Sequence, residues 1–245
     1  MLAAVLLGAA ACPASIVTFS DGTFNLANYT QTTYTNNTAE AGATYSVTQN
    51  LASGNPAPSL DFHVDWTVNT TFTIFVGLIN SGFTYDPAAG AISTIDFSLD
   101  RNVTFTPGTV FFANTTATIL LFQAGKFYLD SITGPAFVAG TWQTVSATGL
   151  QASNFSLYDF ATNTTDSTEH PDFSTAGGVL SFGFRVGLGH INTLGTGSFD
   201  GLSDNFSMTL TTVPEPSPLW PLMTTLTGIA LSQWARMAVG KSSQA

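Results

Sequence analysis

The segment SLDFHVDWTVN settles the class of fold. Leu60, Phe62, Val64, Trp66 and Val68 fall on one side of an extended chain, and Asp61, His63, Asp65, Thr67 and Asn69 fall on the other. Alternation with a period of two marks a strand with one buried face. A helix would need its apolar residues three and four apart. The same pattern recurs in STIDFSLDRNV, where Ile95, Phe97 and Leu99 alternate with Asp96, Ser98 and Asp100. In GKFYLDSI, Phe127 and Leu129 alternate with Lys126, Tyr128 and Asp130, which predicts an exposed Tyr128. In VLSFGFRVGL, Phe182, Phe184 and Val186 alternate with Gly183 and Arg185. Further strands are expected over Ser15–Phe19, Thr71–Leu78, Thr109–Phe122, Gly140–Ala147 and Ser203–Thr211, with Gly, Pro, Asn and Asp punctuating the gaps. No helical pattern of about twelve residues or more precedes Pro214, and no internal repeat is present. About ten to fourteen strands in one unit, residues 15–211, predict an all-β sandwich of two sheets.

Composition narrows what such a sandwich can do. Hydrophobic residues make up 44% of the 245, enough for a sizeable core. Charged residues make up only 8%, against about 25% in an ordinary chain. Fifteen acidic residues against five basic ones give a net charge of −10. Such a surface repels phosphate backbones, so nucleic acid is excluded as a partner. Cys12 is the sole cysteine and lies in an apolar leader, so neither a disulfide framework nor a thiolate metal site can form in the body. Sparse charge with abundant Thr, Asn, Gly and Phe is the composition of exported β proteins.

Both ends are distinct from the body. Leu2–Ala11, LAAVLLGAAA, has the length of a signal-peptide core, and Cys12-Pro13-Ala14 supplies small residues for cleavage after Ala14. Residues 1–14 are therefore read as a signal peptide. Its usual basic start is missing, which leaves open a start upstream of Met1. Acylation at Cys12 and a plain buried segment are the other readings. Near the C-terminus, residues 212–218 form a linker containing Pro214, Pro216 and Pro218, with Pro221 just beyond. Each proline fixes φ and removes a donor, so this linker stays extended and unpaired. Leu219–Ala235, LWPLMTTLTGIALSQWA, is apolar. A transmembrane helix over 219–236 is expected, spanning roughly 26 Å at about 1.5 Å per residue. Trp220 and Trp234 stand where interfacial anchors stand, and Arg236 and Lys241 mark a basic end that runs through the tail, 237–245.

Val213-Pro214-Glu215-Pro216-Ser217, an apolar span and a basic end with Arg236 and Lys241 together resemble the PEP-CTERM sorting signal. The resemblance covers about residues 212–245. It implies an exosortase-type membrane protease as partner, acting at the Pro-Glu-Pro site. It also implies a precursor anchored in the inner membrane of a Gram-negative bacterium, with a final place at the cell surface or in extracellular polysaccharide. A simple C-terminal anchor after a proline-rich linker is the alternative.

A second resemblance covers most of residues 16–210. Phe19-Ser20-Asp21-Gly22-Thr23-Phe24, Ser53-Gly54-Asn55-Pro56, Tyr85-Asp86-Pro87, the run Ala91–Ser98, His170-Pro171-Asp172-Phe173 and Asp204-Asn205-Phe206-Ser207 look like bacterial surface proteins with a concanavalin-like lectin/glucanase jelly roll. The resemblance implies a single jelly-roll sandwich with polysaccharide as partner. Sugar binding on such folds uses aromatic rings with acidic or amide partners, which makes Tyr128, Asp130, Trp142, Tyr158, His63 and Arg185 the candidates. The one cofactor implied is a structural calcium, with Asp21, Asp200 and Asp204 as its candidate ligands by position.

Catalysis is not legible. Glycoside hydrolysis needs two carboxylates about 5–5.5 Å apart for retention and more for inversion. Glucanases of this fold carry closely spaced glutamates on one strand, whereas this body holds only Glu40 and Glu169, both in polar loop sequence. Asp61 and Asp65 share a face but lie roughly 13 Å apart by strand rise. No Gly-x-Ser-x-Gly elbow is present. The expectation is a non-enzymatic carbohydrate-binding or structural module, with an aspartate-based glycosidase as the alternative.

Overall fold

The computed structural model describes residues 14–68, 70–106, 112–115, 118–130, 138–190 and 195–213. Among the described residues, fourteen strands lie within the unit Ile16–Val213. The second unit, Met1–Ser15 with Pro214–Ala245, holds only two described residues, Ala14 and Ser15.

One sheet has six strands. Its path runs β10 (Gln143–Leu150), β6 (Ile92–Thr106), β14 (Gly197–Thr212), β4 (Ser59–Trp66) and β3 (Thr44–Asn50). β6 follows β14 along nearly its whole length. On the other side of β14, β4 pairs with Gly197–Ser203 and β1 (Ile16–Asp21) pairs with Phe206–Thr211. The changeover falls at a register break after Asp204, where Asn205 takes a left-handed φ of 51°.

The second sheet has eight strands, on the path β12 (Thr164–Asp166), β11 (Phe155–Asp159), β9 (Lys126–Asp130), β8 (Thr118–Gln123), β13 (Leu180–His190), β5 (Phe72–Tyr85) and β2 (Tyr29–Asn36). β7 (Phe112–Thr115) pairs with the far end of β13. Every pairing in both sheets is antiparallel. The longest helix among the described residues is the single turn Thr38–Ala41.

The alternation read in β4, β6 and β13 faces the core as expected. Leu60, Phe62, Val64, Trp66, Ile95, Phe97, Leu99, Phe182, Phe184 and Val186 all belong to the cluster between the sheets. Val68 lies beyond the end of β4 and is exposed. Phe206 ties the layers together, its ring lying 5.6 Å from Phe83, 5.8 Å from Phe97 and 5.6 Å from Phe184. Burying one such side chain stabilises the fold by about 1.5–3 kcal/mol.

β9 is turned over relative to its sequence reading. Tyr128 points into the core between the sheets and is 5% exposed, which corrects the exposed position expected for it. Phe127 and Leu129 face the opposite side, in a second apolar cluster with Ile79, Leu120, Tyr158 and Phe160. The eight-stranded sheet is thus apolar on both faces. Phe160, just past β11, packs over its outer face and covers this cluster.

The strand expected over Thr109–Phe122 comes out as β7 and β8. The predicted signal peptide lies outside the described residues apart from Ala14, as does the linker beyond Val213. No helix among the described residues is long and apolar enough to cross a membrane, and the predicted span 219–236 lies outside them.

Candidate functional site

The outer face of the eight-stranded sheet carries glycines opposite large side chains. Across the β13–β5 ladder, Gly183 faces Ile79, Arg185 faces Gly77 and Gly187 faces Phe75. These glycines leave room for rings to lie on the sheet. A Cβ at Gly187 would stand 2.0 Å from Cδ1 of Phe75, and one at Gly77 would stand 2.4 Å from Cζ of Phe160. Such approaches are below any tolerable contact, so glycine is required at both positions.

Arg185 sits among these rings. Its Cζ is 4.4 Å from the centroid of Phe75 and 4.8 Å from that of Tyr158, both within cation–π range. Beside it opens a cavity of about 320 Å³. Phe75, Leu129, Asp130 and Tyr158 form its buried walls. Ser156, Asn163, Thr165 and the partly buried Arg185 complete the lining, with Thr165 exposed. Tyr158 donates its hydroxyl to Oδ1 of Asn163 at 2.8 Å. Asn163 adopts a left-handed φ of 54° in the turn from β11 to β12, a conformation that asparagine tolerates well.

The electrostatics are unusual for so small a space. Burial pushes the Asp130 carboxyl up to about 7, with Arg185 pulling weakly the other way. Burial also lowers the Arg185 guanidinium and raises the Tyr158 phenol. Asp130 is 9% exposed, and its Oδ1 has no hydrogen-bond partner; the same holds for Nε of Arg185. No ion pair within 4.0 Å joins the two among the described residues. Oδ1 of Asp130 and Nε of Arg185 are both shut off from solvent, so the polar surface of the cavity comes from the rest of its lining.

Of the six sugar-binding candidates, Asp130, Tyr158 and Arg185 come together here, and three do not join them. Tyr128 lies in the core and donates to Oε1 of Glu169 at 3.3 Å. Trp142, half-buried, directly precedes β10 of the other sheet. His63 lies on the outer face of β4, held between Oδ1 of Asp200 at 2.6 Å and Oδ2 of Asp65 at 3.0 Å. Those hydrogen bonds, Asp200 foremost, raise its pKa, while burial raises that of neighbouring Asp61.

The candidate calcium ligands are committed to separate partners. Asp21 accepts from the backbone N–H of Thr23 and Phe24 and from the Tyr29 hydroxyl, at 2.7, 2.9 and 2.8 Å. Asp200 holds His63. Asp204 is fully buried and accepts from the backbone N–H of Asn55 and Asn205. No group of three His, Cys, Asp or Glu that could hold a metal forms among the described residues. Of the sorting residues, Val213 is described, its N–H donating to the Ala91 carbonyl at 2.7 Å; Pro214, Glu215, Pro216, Ser217, Arg236 and Lys241 lie outside the described residues.

Phe75, Leu129, Ser156, Asn163 and Thr165 line the cavity without having been singled out in the sequence. The available signal was the pairing of glycine with bulk across β5 and β13, which becomes visible only once the register is known.

No family model matches the chain, and no curated protein matches it. Among solved structures it is similar to a family 11 carbohydrate-binding module from Clostridium thermocellum in complex with a β-1,3-1,4-mixed-linked tetrasaccharide. The identity is 16% and the TM-score 0.39, over 82% of this chain and 97% of that one. It is also similar to the family 11 module of a cellulosomal cellulase of Clostridium thermocellum, at 14% identity and TM-score 0.36, over 84% of this chain and 98% of that one.

Proposed function

We propose that the body is a non-catalytic carbohydrate-binding sandwich of jelly-roll type, and that its site is the cavity at Arg185, Asp130 and Tyr158. One observation carries this reading. The Arg185 guanidinium, between the rings of Phe75 and Tyr158, lines one small cavity together with the polar side chains of Ser156, Asn163 and Thr165. A sugar ring offers the matching surface: hydroxyls that donate and accept around the rim, and C–H faces that pack on aromatic walls. At about 320 Å³ the cavity sits at the low end of small-molecule sites, about 300–1,000 Å³, which suits a single ring. Binding is favoured over hydrolysis because, among the described residues, Asp130 alone brings a carboxylate to the lining, and glycoside cleavage uses two.

The address of the protein belongs to the same proposal. Export through residues 1–14 and sorting through the Pro214-Glu215-Pro216 signal would deliver the module to the cell envelope or its polysaccharide. The support is the order of the chain itself: leader, sandwich, proline-rich linker, apolar span, basic end.

The test is a screen of the full chain against bacterial polysaccharides and a glycan array, with and without EDTA. Ser156→Phe, a rim substitution that fills the cavity, is run beside it. Binding lost on filling the cavity is expected. A folded chain that binds no glycan, or whose binding ignores the filled cavity, overturns the reading.

A further inference from the structure

β2 ends the eight-stranded sheet. Among the described residues it pairs with β5 alone, along all eight of its residues and without a register shift. The outer edge of such a strand carries a row of backbone N–H and C=O groups ready for another strand. Sandwiches guard these rows with bulges, prolines, charged side chains or very short edge strands. The opposite flank of this one is guarded in that way. β10 is broken by a register shift between Ala147 and Leu150, beside the left-handed Gly149, and β12 is three residues long and ends in Asp166. β2, YTQTTYTN, has no bulge, proline or charge. Neither has β3, TYSVTQN, which ends the other sheet and follows β2 in the chain through the turn Thr38–Ala41.

The occupant has to match an uncharged, threonine-rich edge. Two copies of this chain, each of net charge −10, repel one another, so they approach with least repulsion where neither carries a charge. An antiparallel strand pair contains a twofold axis, which makes β2 its own complement once a second copy is turned about that axis. The side chains allow it. Thr30, Gln31, Thr35 and Asn36 are exposed, and threonine pairs across such a ladder hydrogen-bond. Tyr34 is held over the outer face of the sheet by its stack on Phe75, with centroids 6.4 Å apart.

We propose that β2 pairs antiparallel with β2 of a second copy, about a twofold axis perpendicular to the sheet, and so joins two eight-stranded sheets into one. Backbone hydrogen bonds and threonine pairs with little apolar area make a weak dimer that forms with concentration, not a permanent one. The axis leaves both outer faces on the same side. The two copies of β13 then lie five strand spacings apart, about 24 Å. On the carbohydrate reading above, one polysaccharide could engage both Arg185 cavities at once; the pairing itself does not depend on that reading.

The experiment uses the full chain with Cys12→Ser, in mild detergent so that the apolar segment Leu219–Ala235 does not itself drive association. Single cysteines are introduced along β2 as Thr30→Cys, Gln31→Cys, Thr32→Cys, Thr33→Cys, Tyr34→Cys and Thr35→Cys, and oxidised under mild conditions. Residues facing each other across the axis lie about 4.5–5.5 Å apart at Cα, within the reach of a disulfide. Two residues further along, a cysteine and its copy stand roughly 13 Å apart and cannot bond. Crosslinking should therefore peak at one position, at least about tenfold faster there than for Ser146→Cys, exposed on β10. Light scattering on the cysteine-free chain, from about 1 µM to about 1 mM in about 0.3 M salt, should show monomer passing to dimer. Thr30→Lys with Thr35→Lys, both at exposed positions, should abolish that passage. A mass that stays monomeric throughout, crosslinking equal at all positions or no faster than at Ser146, or a dimer that survives the lysines overturns the pairing. Masses that climb past the dimer, as β2-to-β3 pairing would give, overturn the twofold arrangement.

Discussion

Asp130→Asn makes a quantitative prediction about stability. In the folded protein burial lifts this carboxyl from the ordinary 3.8 to about 7. The displacement is about three pH units, and each is worth about 1.4 kcal/mol. Below about pH 3.8 the group is protonated in both states and contributes nothing to the difference. Between there and about 7 the folded state keeps a proton that the unfolded chain gives up, so stability declines as pH rises. Above about 7 the full penalty, about 4 kcal/mol, stands. Asparagine has no such proton. The stability of Asp130→Asn relative to the parent should therefore climb by about 4 kcal/mol between pH 4 and pH 8, whatever its low-pH offset. For a body of this size that corresponds to a relative gain of roughly 8–16 °C in melting temperature. Guanidinium unfolding followed by tryptophan fluorescence at pH 4, 6 and 8 measures it, with equal m-values as the control for two-state behaviour. A difference that stays flat with pH would refute the buried, unpaired state assigned to Asp130.

Other perturbations probe other layers. Phe206→Ala removes the ring shared by both sheets and should cost about 3–5 kcal/mol in unfolding free energy; a loss under about 1 kcal/mol would mean the sheets do not rely on it. Gly187→Ala drives a methyl against Phe75; it should cost about 1–3 kcal/mol and weaken sugar binding, both readable from one protein preparation. His63→Gln tests the outer face of the six-stranded sheet. The parent's advantage should be present below pH 6.5 and fade as pH rises through the raised folded value. Its size should be only about 0.5 kcal/mol, because the pairs are well exposed to solvent. Replacing Pro214, Glu215 and Pro216 by alanine should leave the precursor at full mass in the membrane fraction, as seen by immunoblot; unchanged processing would refute the sorting assignment.

The sequence made some elements plain and hid others, for physical reasons. β4, β6 and β13 each put one face in the core and one towards polar surroundings, so their alternation had a definite phase. β2, β3 and β12 are edge strands, YTQTTYTN, TYSVTQN and TTD, with few buried positions. Their threonines and tyrosines favour extended chain, but no apolar period announces them. β8 reads TILLFQ and is buried on both faces, and its neighbour β9 shares that setting. With both sides apolar, the hydrophobic face of β9 had no unique phase, and Tyr128 was assigned to the wrong one. The site was half visible for the same reason. Arg185, Asp130 and Tyr158 stood out as polar or aromatic residues on strands. Phe75 and its opposing glycine look like ordinary core and turn residues until the ladder sets them side by side.

The position of β14 has a consequence for how the chain acquires its structure as it is made. The last strand among the described residues is the one that β1, β4 and β6 all require: Ile16 waits for Thr211, and Trp66 for Gly197. The β3–β4 and β6–β10 pairs can form early, but nothing joins them into a sheet until residues 197–212 arrive. Loop closure over such separations makes folding slow. A nascent sandwich of this topology therefore stays open until residues 197–212 have been made.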